Sequence, residues 1–367
     1  MWTPGIRSAA LVLLCATLSL CEVDWDSRAA AVQSMIDSGR LEHAARAYDG
    51  IVEDGAPAGE ARVGVLGAVL GVALMDQGRY EEAEAYVSGS LARLSRAAPD
   101  DPRLARLWSH LGEIRGAQRR LGEAQACYER ALRLQQRAQA KGDPERITTL
   151  TNLAAIHRER GHFNIARKYL DEALAESDQA GSGAGAGRAA VLHAIGSLRL
   201  AEGKPRPARQ ALIEARSLVE RAGAADPRQL VSVLTCLGAA EMQLRRYRDA
   251  AATLERAARL AEAHYGSAHL TYASILIGRA AVDEALGRDE TAEKQLRTAA
   301  RIQADNLGAA SPAVAETALK HAQVLQKLGR KAEARDIRNS ARAILGSQTD
   351  DMRVSFQELQ KAAAQDF

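Results

Sequence analysis

Gly161-His162-Phe163-Asn164-Ile165-Ala166-Arg167-Lys168-Tyr169-Leu170-Asp171-Glu172-Ala173 decides the fold, because its spacing returns along the whole chain. The turn tripeptide that opens it recurs as Gly39-Arg40-Leu41, Gly78-Arg79-Tyr80, Arg119-Arg120-Leu121 and Gly203-Lys204-Pro205. It continues as Arg245-Arg246-Tyr247, Gly287-Arg288-Asp289 and Gly329-Arg330-Lys331. The steps between anchors are 39, 41 and then 42 five times in succession, a period that marks a repeat architecture. Five residues after each anchor stands an alanine, from Ala44 and Ala83 through Ala166 to Ala334. Twelve after it stands another in the last six units, such as Ala131, Ala173 and Ala215. Nine after comes a larger residue (Tyr48, Val87, Tyr128, Leu170, Leu212, Leu254, Leu296), and seven before comes a small one (Gly71, Gly112, Ala154, Gly196, Gly238, Ala280, Ala322).

Offsets of three and four place these residues on one stripe of a helix. Each unit is therefore read as two antiparallel helices. The glycine that opens most anchors supplies the left-handed residue that ends the first helix. Small residues bring the two backbones toward the close end of the usual ~8–10 Å spacing. The Tyr, Val or Leu is expected to fill the groove between one pair and the next. A single pair cannot bury its own apolar face, so successive pairs must stack.

These residues closely resemble the tetratricopeptide repeat, whose pattern places a small residue, a tight turn, then Ala, an aromatic and Ala at these offsets. The 42-residue period is similar to the long-linker variant of kinesin light chains and many bacterial repeat proteins. The linkers Gly223-Ala224-Ala225-Asp226-Pro227 and Gly308-Ala309-Ala310-Ser311-Pro312, with a degenerate Gly266-Ser267-Ala268-His269-Leu270, fit that variant. The resemblance implies an all-α, right-handed solenoid of about eight helix-turn-helix units over residues 22–345, with anchors near 39, 78, 119, 161, 203, 245, 287 and 329. Unit 1 departs from the pattern, with Val32 in the small slot and Trp25 upstream, as end repeats often do. Residues 346–367 form a cap or tail, since Met352, Phe356 and Leu359 suit an amphipathic capping helix. Between units 4 and 5, Gly181-Ser182-Gly183-Ala184-Gly185-Ala186-Gly187 reads as a flexible linker, or more sharply as a hinge. It does not match a dinucleotide-binding glycine pattern and follows no strand.

Composition narrows the function classes. Of 367 residues, 47% are apolar and 26% charged, with a formal net charge of +3. Nucleic-acid binders carry a concentrated basic excess, so none is expected as a partner. With aromatics at 4%, stacking platforms for single strands are scarce too.

The N-terminus is read as a targeting segment. One basic residue, Arg7, precedes an uncharged apolar run from Ala9 to Leu20, too short to span a bilayer and suited to a secretory signal over residues 1–21. Leu18-Ser19-Leu20-Cys21 resembles a bacterial lipobox except at Leu20, so a lipid anchor at Cys21 is the alternative to cleavage before Glu22. The protein is expected to be exported, periplasmic or extracellular. A membrane-anchored lipoprotein is the second option, and a cytoplasmic protein, should the signal not be used, the third.

Catalysis finds no support. Eight histidines are scattered without metal-ligand spacing, and His157 and His162, five apart across a turn, are not expected to share a helix face. No nucleophile elbow, phosphate loop or kinase signature is present. Cys127 and Cys236 lie far apart on apolar faces and read as buried small hydrophobes, not as a disulfide. No enzyme activity, cofactor or metal is expected.

In the resembling family, ligands lie in the concave groove lined by the first helix of each pair. The corresponding positions are Arg106, Ser109, His110 and Glu113 in unit 3, and Thr148, Thr151, Asn152 and Arg158 in unit 4. Units 5 and 6 supply His193 and Ser197, then Ser232 and Thr235. Asn152 matches the family position whose asparagine bonds a peptide backbone. His110, Ala194, Cys236 and Gly278 occupy that place in neighbouring units, so a carboxylate clamp is not supported. Two guanidinium groups among small polar walls suit an extended or helical peptide with some acidic character. The expected function is a non-catalytic scaffold that binds a peptide or protein segment in this groove. The alternative is an assembly subunit of an envelope complex, joined through its end units or convex face.

Overall fold

The computed structural model describes residues 25–55, 59–138, 142–179, 185–222 and 227–346. Among these every regular element is an α-helix, and the helices come in consecutive pairs. They gather into two compact units, one ending at Gly181 and the other beginning at Ser182. The first unit pairs α1 (25–37) with α2 (Leu41–Glu53), α3 (Glu60–Asp76) with α4 (Tyr80–Ala97), α5 (Arg103–Ala117) with α6 (Leu121–Ala138), and α7 (Pro144–Glu159) with α8 (Phe163–Gln179). In the second unit α9 (Gly185–Ala201) pairs with α10 (Pro205–Arg221), and α11 (Pro227–Gln243) with α12 (Tyr247–Tyr265). The remaining pairs are α13 (Leu270–Ala285) with α14 (Asp289–Leu307), and α15 (Pro312–Lys327) with α16 (331–346).

Each anchor sits between the helices of its pair, and all eight anchor residues are left-handed. The glycines 39, 78, 161, 203, 287 and 329 have φ between 72° and 78°, while Arg119 and Arg245 adopt 64° and 58°. The following amide reaches back to close the turn, as Arg120 N does to Arg115 O at 2.9 Å and Arg246 N to Glu241 O at 2.8 Å. These bonds satisfy carbonyls that the ending helix would leave without partners.

The alanine register sits at the core. Ala124, Ala131, Ala166, Ala173, Ala208 and Ala215 are all fully buried. The larger residue nine after the anchor packs toward the next pair, as expected from the sequence, with Leu212 clustered with Val233 and Leu237 and Leu296 with Val324, and it also locks the two helices of its own pair. A Cβ on Gly112 would lie 2.8 Å from Tyr128 Cε1, and one on Gly196 would lie 2.5 Å from Leu212 Cγ. The missing side chain is the room the larger one occupies, so the backbones close on each other. Tyr48 against Gly67 and Leu254 near Gly278 make the same contact with the next pair.

Helix starts follow from the linkers. Pro144, Pro227 and Pro312 open α7, α11 and α15, where a missing amide proton costs nothing. Asp143 caps α7 by accepting from Glu145 N at 3.0 Å. Gly266-Ser267-Ala268-His269-Leu270 lacks proline, and there His269 caps α13 instead, its Nδ1 accepting from Thr271 N at 3.1 Å. Gly185, Ala186 and Gly187, read from sequence as linker, form the first turn of α9. At the start of the stack Val32 is fully buried, and Trp25, 4% exposed, lies under the Arg62 guanidinium 5.2 Å from its ring centroid.

Residues 1–24, 180–184 and 347–367 are outside the described residues, and with them fall the signal expected over 1–21, most of the glycine linker and the cap or tail expected around Phe356. Among the described residues no helix is long and apolar enough to cross a membrane.

Candidate functional site

The first helices of successive pairs lie side by side: α5 with α7 in the first unit, and α9, α11 and α13 in the second. Residues at equivalent register therefore converge on one face of each unit.

In the first unit that face is a closed set of ion pairs and hydrogen bonds. Arg106 Nε donates to Glu145 Oε1 at 2.8 Å, and its Nη2 makes a second, short contact with the same oxygen. Glu113 takes two partners: His110 Nδ1 stands 3.3 Å from Oε2, and Asn152 Nδ2 donates to Oε1 at 3.3 Å. Burial, aided by the Glu113 charge, pushes the Tyr128 phenol well above its ordinary range. Arg158 is half-buried, with Glu159 as its ion-pair partner at 3.9 Å. Arg106, His110, Glu113, Glu145 and Thr148 line a depression of about 240 Å³.

Hydroxyl groups on this face spend their protons on their own helices. Thr148 donates to Pro144 O at 2.9 Å, and Thr151 to Ile147 O at 2.7 Å. In the second unit Ser232 and Thr235 do the same toward Arg228 O at 3.0 Å and Val231 O at 2.8 Å. What they turn outward is acceptor oxygen. Ser109 also lines the depression, but it is only 9% exposed and packs between α5 and α7, with Oγ 3.0 Å from Thr149 Oγ1. Gln135 Nε2 donates to that threonine at 3.1 Å and completes the bridge.

An acidic ligand is what the sequence leads one to expect on this face. That expectation rests on two guanidinium groups, yet Arg106 is already held by Glu145, a residue the sequence reading left out. Glu145 follows Arg106 by nearly one repeat, and a search for opposite charges at that separation would have found it. With Glu113 beside them, the four charges of this face balance.

In the second unit His193, Ser197 and Cys236 come together. His193 Nε2 is 3.2 Å and Ser197 Oγ 3.4 Å from Cys236 Sγ. Cys236 is only partly buried, so the sequence reading of a buried hydrophobe holds for Cys127 and fails here. His157 and His162 share no helix, as expected, yet their rings lie 5.8 Å apart across the turn. The left-handed turn folds the chain back and delivers His162 to the end of the helix that carries His157. Tyr169 stacks on His157 at 5.6 Å, and burial lowers the His157 pKa. Among the described residues no three His, Cys, Asp or Glu side chains cluster closely enough to hold a metal ion.

A family model described as tetratricopeptide repeat matches residues 65–137, 103–175 and 145–221. No curated protein matches the chain in sequence. In structure the chain is similar to the apo form of the quorum sensor NprR from B. thuringiensis, at 12% identity over 87% of this chain and 86% of that one, with a TM-score of 0.66. It is similar to a Rap protein complexed with competence and sporulation factor (12% identity, 89% and 99% covered, TM-score 0.60) and to the apo form of RapI (14%, 77% and 99%, 0.57). Identities this low show a common fold.

Proposed function

We propose that this chain, a tetratricopeptide-repeat protein, is a non-catalytic interaction scaffold that receives a peptide or protein segment on the face formed by its first helices. The observation that carries this reading is the convergence of α5 and α7, where Asn152 reaches Glu113 and Arg106 reaches Glu145. Such cross-repeat pairs hold polar groups in fixed positions at the surface of a packed scaffold, which lowers the ordering cost of binding. The Rap protein that shares the fold is complexed with competence and sporulation factor, so this architecture accommodates a partner of that kind. Balanced charge and outward acceptors favour a segment that brings donors (backbone amides, Lys or Arg) over an acidic one.

The apolar run from Ala9 to Leu20 supports export as the setting of this activity. Intact-mass measurement of the native protein distinguishes a lipidated Cys21, a free Glu22 and an uncut Met1.

The binding test is peptide selection on the full chain from a displayed random library, followed by affinity measurement against a Glu113/Glu145/Asn152→Ala variant of unchanged helicity. A loss of tenfold or more, about 1.4 kcal/mol, is expected. Equal affinity would remove this face from consideration and turn attention to the end pairs.

A further inference from the structure

The two thiols of the described helices differ in surroundings. Cys127 is 1% exposed, and burial pushes its thiol pKa up even though Arg115 Nη1 lies 3.4 Å away. Cys236 is on the open side of α11, partly exposed, with the His193 imidazole from α9 at 3.2 Å and the Ser197 hydroxyl at 3.4 Å. A thiol attacks only as thiolate, and an adjacent imidazole is the group that removes its proton near neutral pH. Both partners sit on helices fixed by the stack. Leu192 and Leu237, neighbours of His193 and Cys236 in sequence, belong to one buried cluster.

We propose that Cys236 is a modification site: a thiol activated by His193 that forms a mixed disulfide with low-molecular-weight disulfides. The Cys236 proton passes to His193 Nε2. The thiolate pair then attacks one sulfur of the incoming disulfide, forming a new S–S bond as the old one breaks. The departing thiolate takes a proton from the imidazolium or from water. Cys236 sulfur is oxidised, the leaving sulfur is reduced, and no further oxidant is needed. Ser197 is placed to steady the thiolate by donating to it. The inference is independent of peptide binding on the same face.

The gain follows from the thiolate fraction. A thiol pKa held lower raises that fraction at neutral pH, and the weaker nucleophile that results returns only part of the gain. The test treats the full chain with the neutral disulfide 4,4′-dithiodipyridine at pH 7 and follows each of its four cysteines by peptide mass spectrometry. The expected result is labelling of Cys236 without denaturant while Cys127 stays silent, and a loss of rate at Cys236 in His193→Ala. His193→Gln serves where the alanine variant loses helicity. Ser197→Ala should slow labelling less than either. Labelling of Cys236 that requires denaturant, or that is equally fast without His193, would overturn the proposal.

Discussion

At the scale of single residues the turns store the clearest strain. Arg119 and Arg245 hold the left-handed conformation that six other anchors give to glycine. That conformation costs a side-chain-bearing residue roughly 1–2 kcal/mol, partly regained in the unfolded state, where glycine is the freer residue. Arg245→Gly should therefore raise stability by roughly 0.5–1 kcal/mol in urea denaturation. Arg119→Gly should raise it less, because Arg119 also pairs with Glu159 at 2.9 Å. The opposite change is severe at the close approaches. Gly196→Ala would place a Cβ 2.5 Å from Leu212 Cγ, and the overpacking should cost about 1–3 kcal/mol by the same measurement. His157 supplies a pH prediction. Its folded pKa lies below the ordinary 6.5, so the unfolded chain binds the proton first. The contribution is whole above pH 6.5 and is lost as pH falls from there through the folded pKa. A ¹H–¹³C titration should find His157 protonating below 6.5, and a midpoint at or above 6.5 would contradict burial of its neutral form.

At the scale of elements the caps decide where helices begin. Asp143→Ala removes the acceptor for Glu145 N and should cost about 1 kcal/mol, measured by chemical denaturation with Asp143→Asn as the milder control. Local signals of this kind explain what was legible in the sequence. Prolines 144, 227 and 312 and the glycine anchors act through the backbone at their own position, so the helix limits and eight pairs could be read directly. The second role of each larger residue, locking its own pair, could not, because periodicity does not say that one side chain serves both its own pair and the next. The groove was legible by register and illegible by chemistry. Helical phase places Asn152 and Arg106 on the face, but it says nothing of Glu113 and Glu145 coming from neighbouring helices to occupy them. Ser109 fell on the buried side because a hydroxyl is small enough to be bridged by Thr149 between the helices. His157 and His162 met because a turn that separates two helices in sequence brings their ends together in space.

At the scale of the whole molecule the chain holds two compact units, each with its own buried clusters. Stability in such arrays is a sum of repeat and nearest-neighbour contributions, so two-state unfolding is not required. The three tryptophans, at positions 2, 25 and 108, all precede Gly181. Tryptophan fluorescence therefore reports the first unit while far-ultraviolet circular dichroism reports both. The two probes should give non-coincident transitions in urea, whereas superimposable curves would show the units unfolding as one. The lock between small and large residues has a further consequence for how such a chain changes over generations. One residue inserted within a helix turns everything beyond it by about 100° and sets Gly196 or Gly112 against the wrong neighbour. Heritable changes of length are thus confined to the linkers or come as whole modules, and the molecule grows the way a text grows by sentences, not by letters.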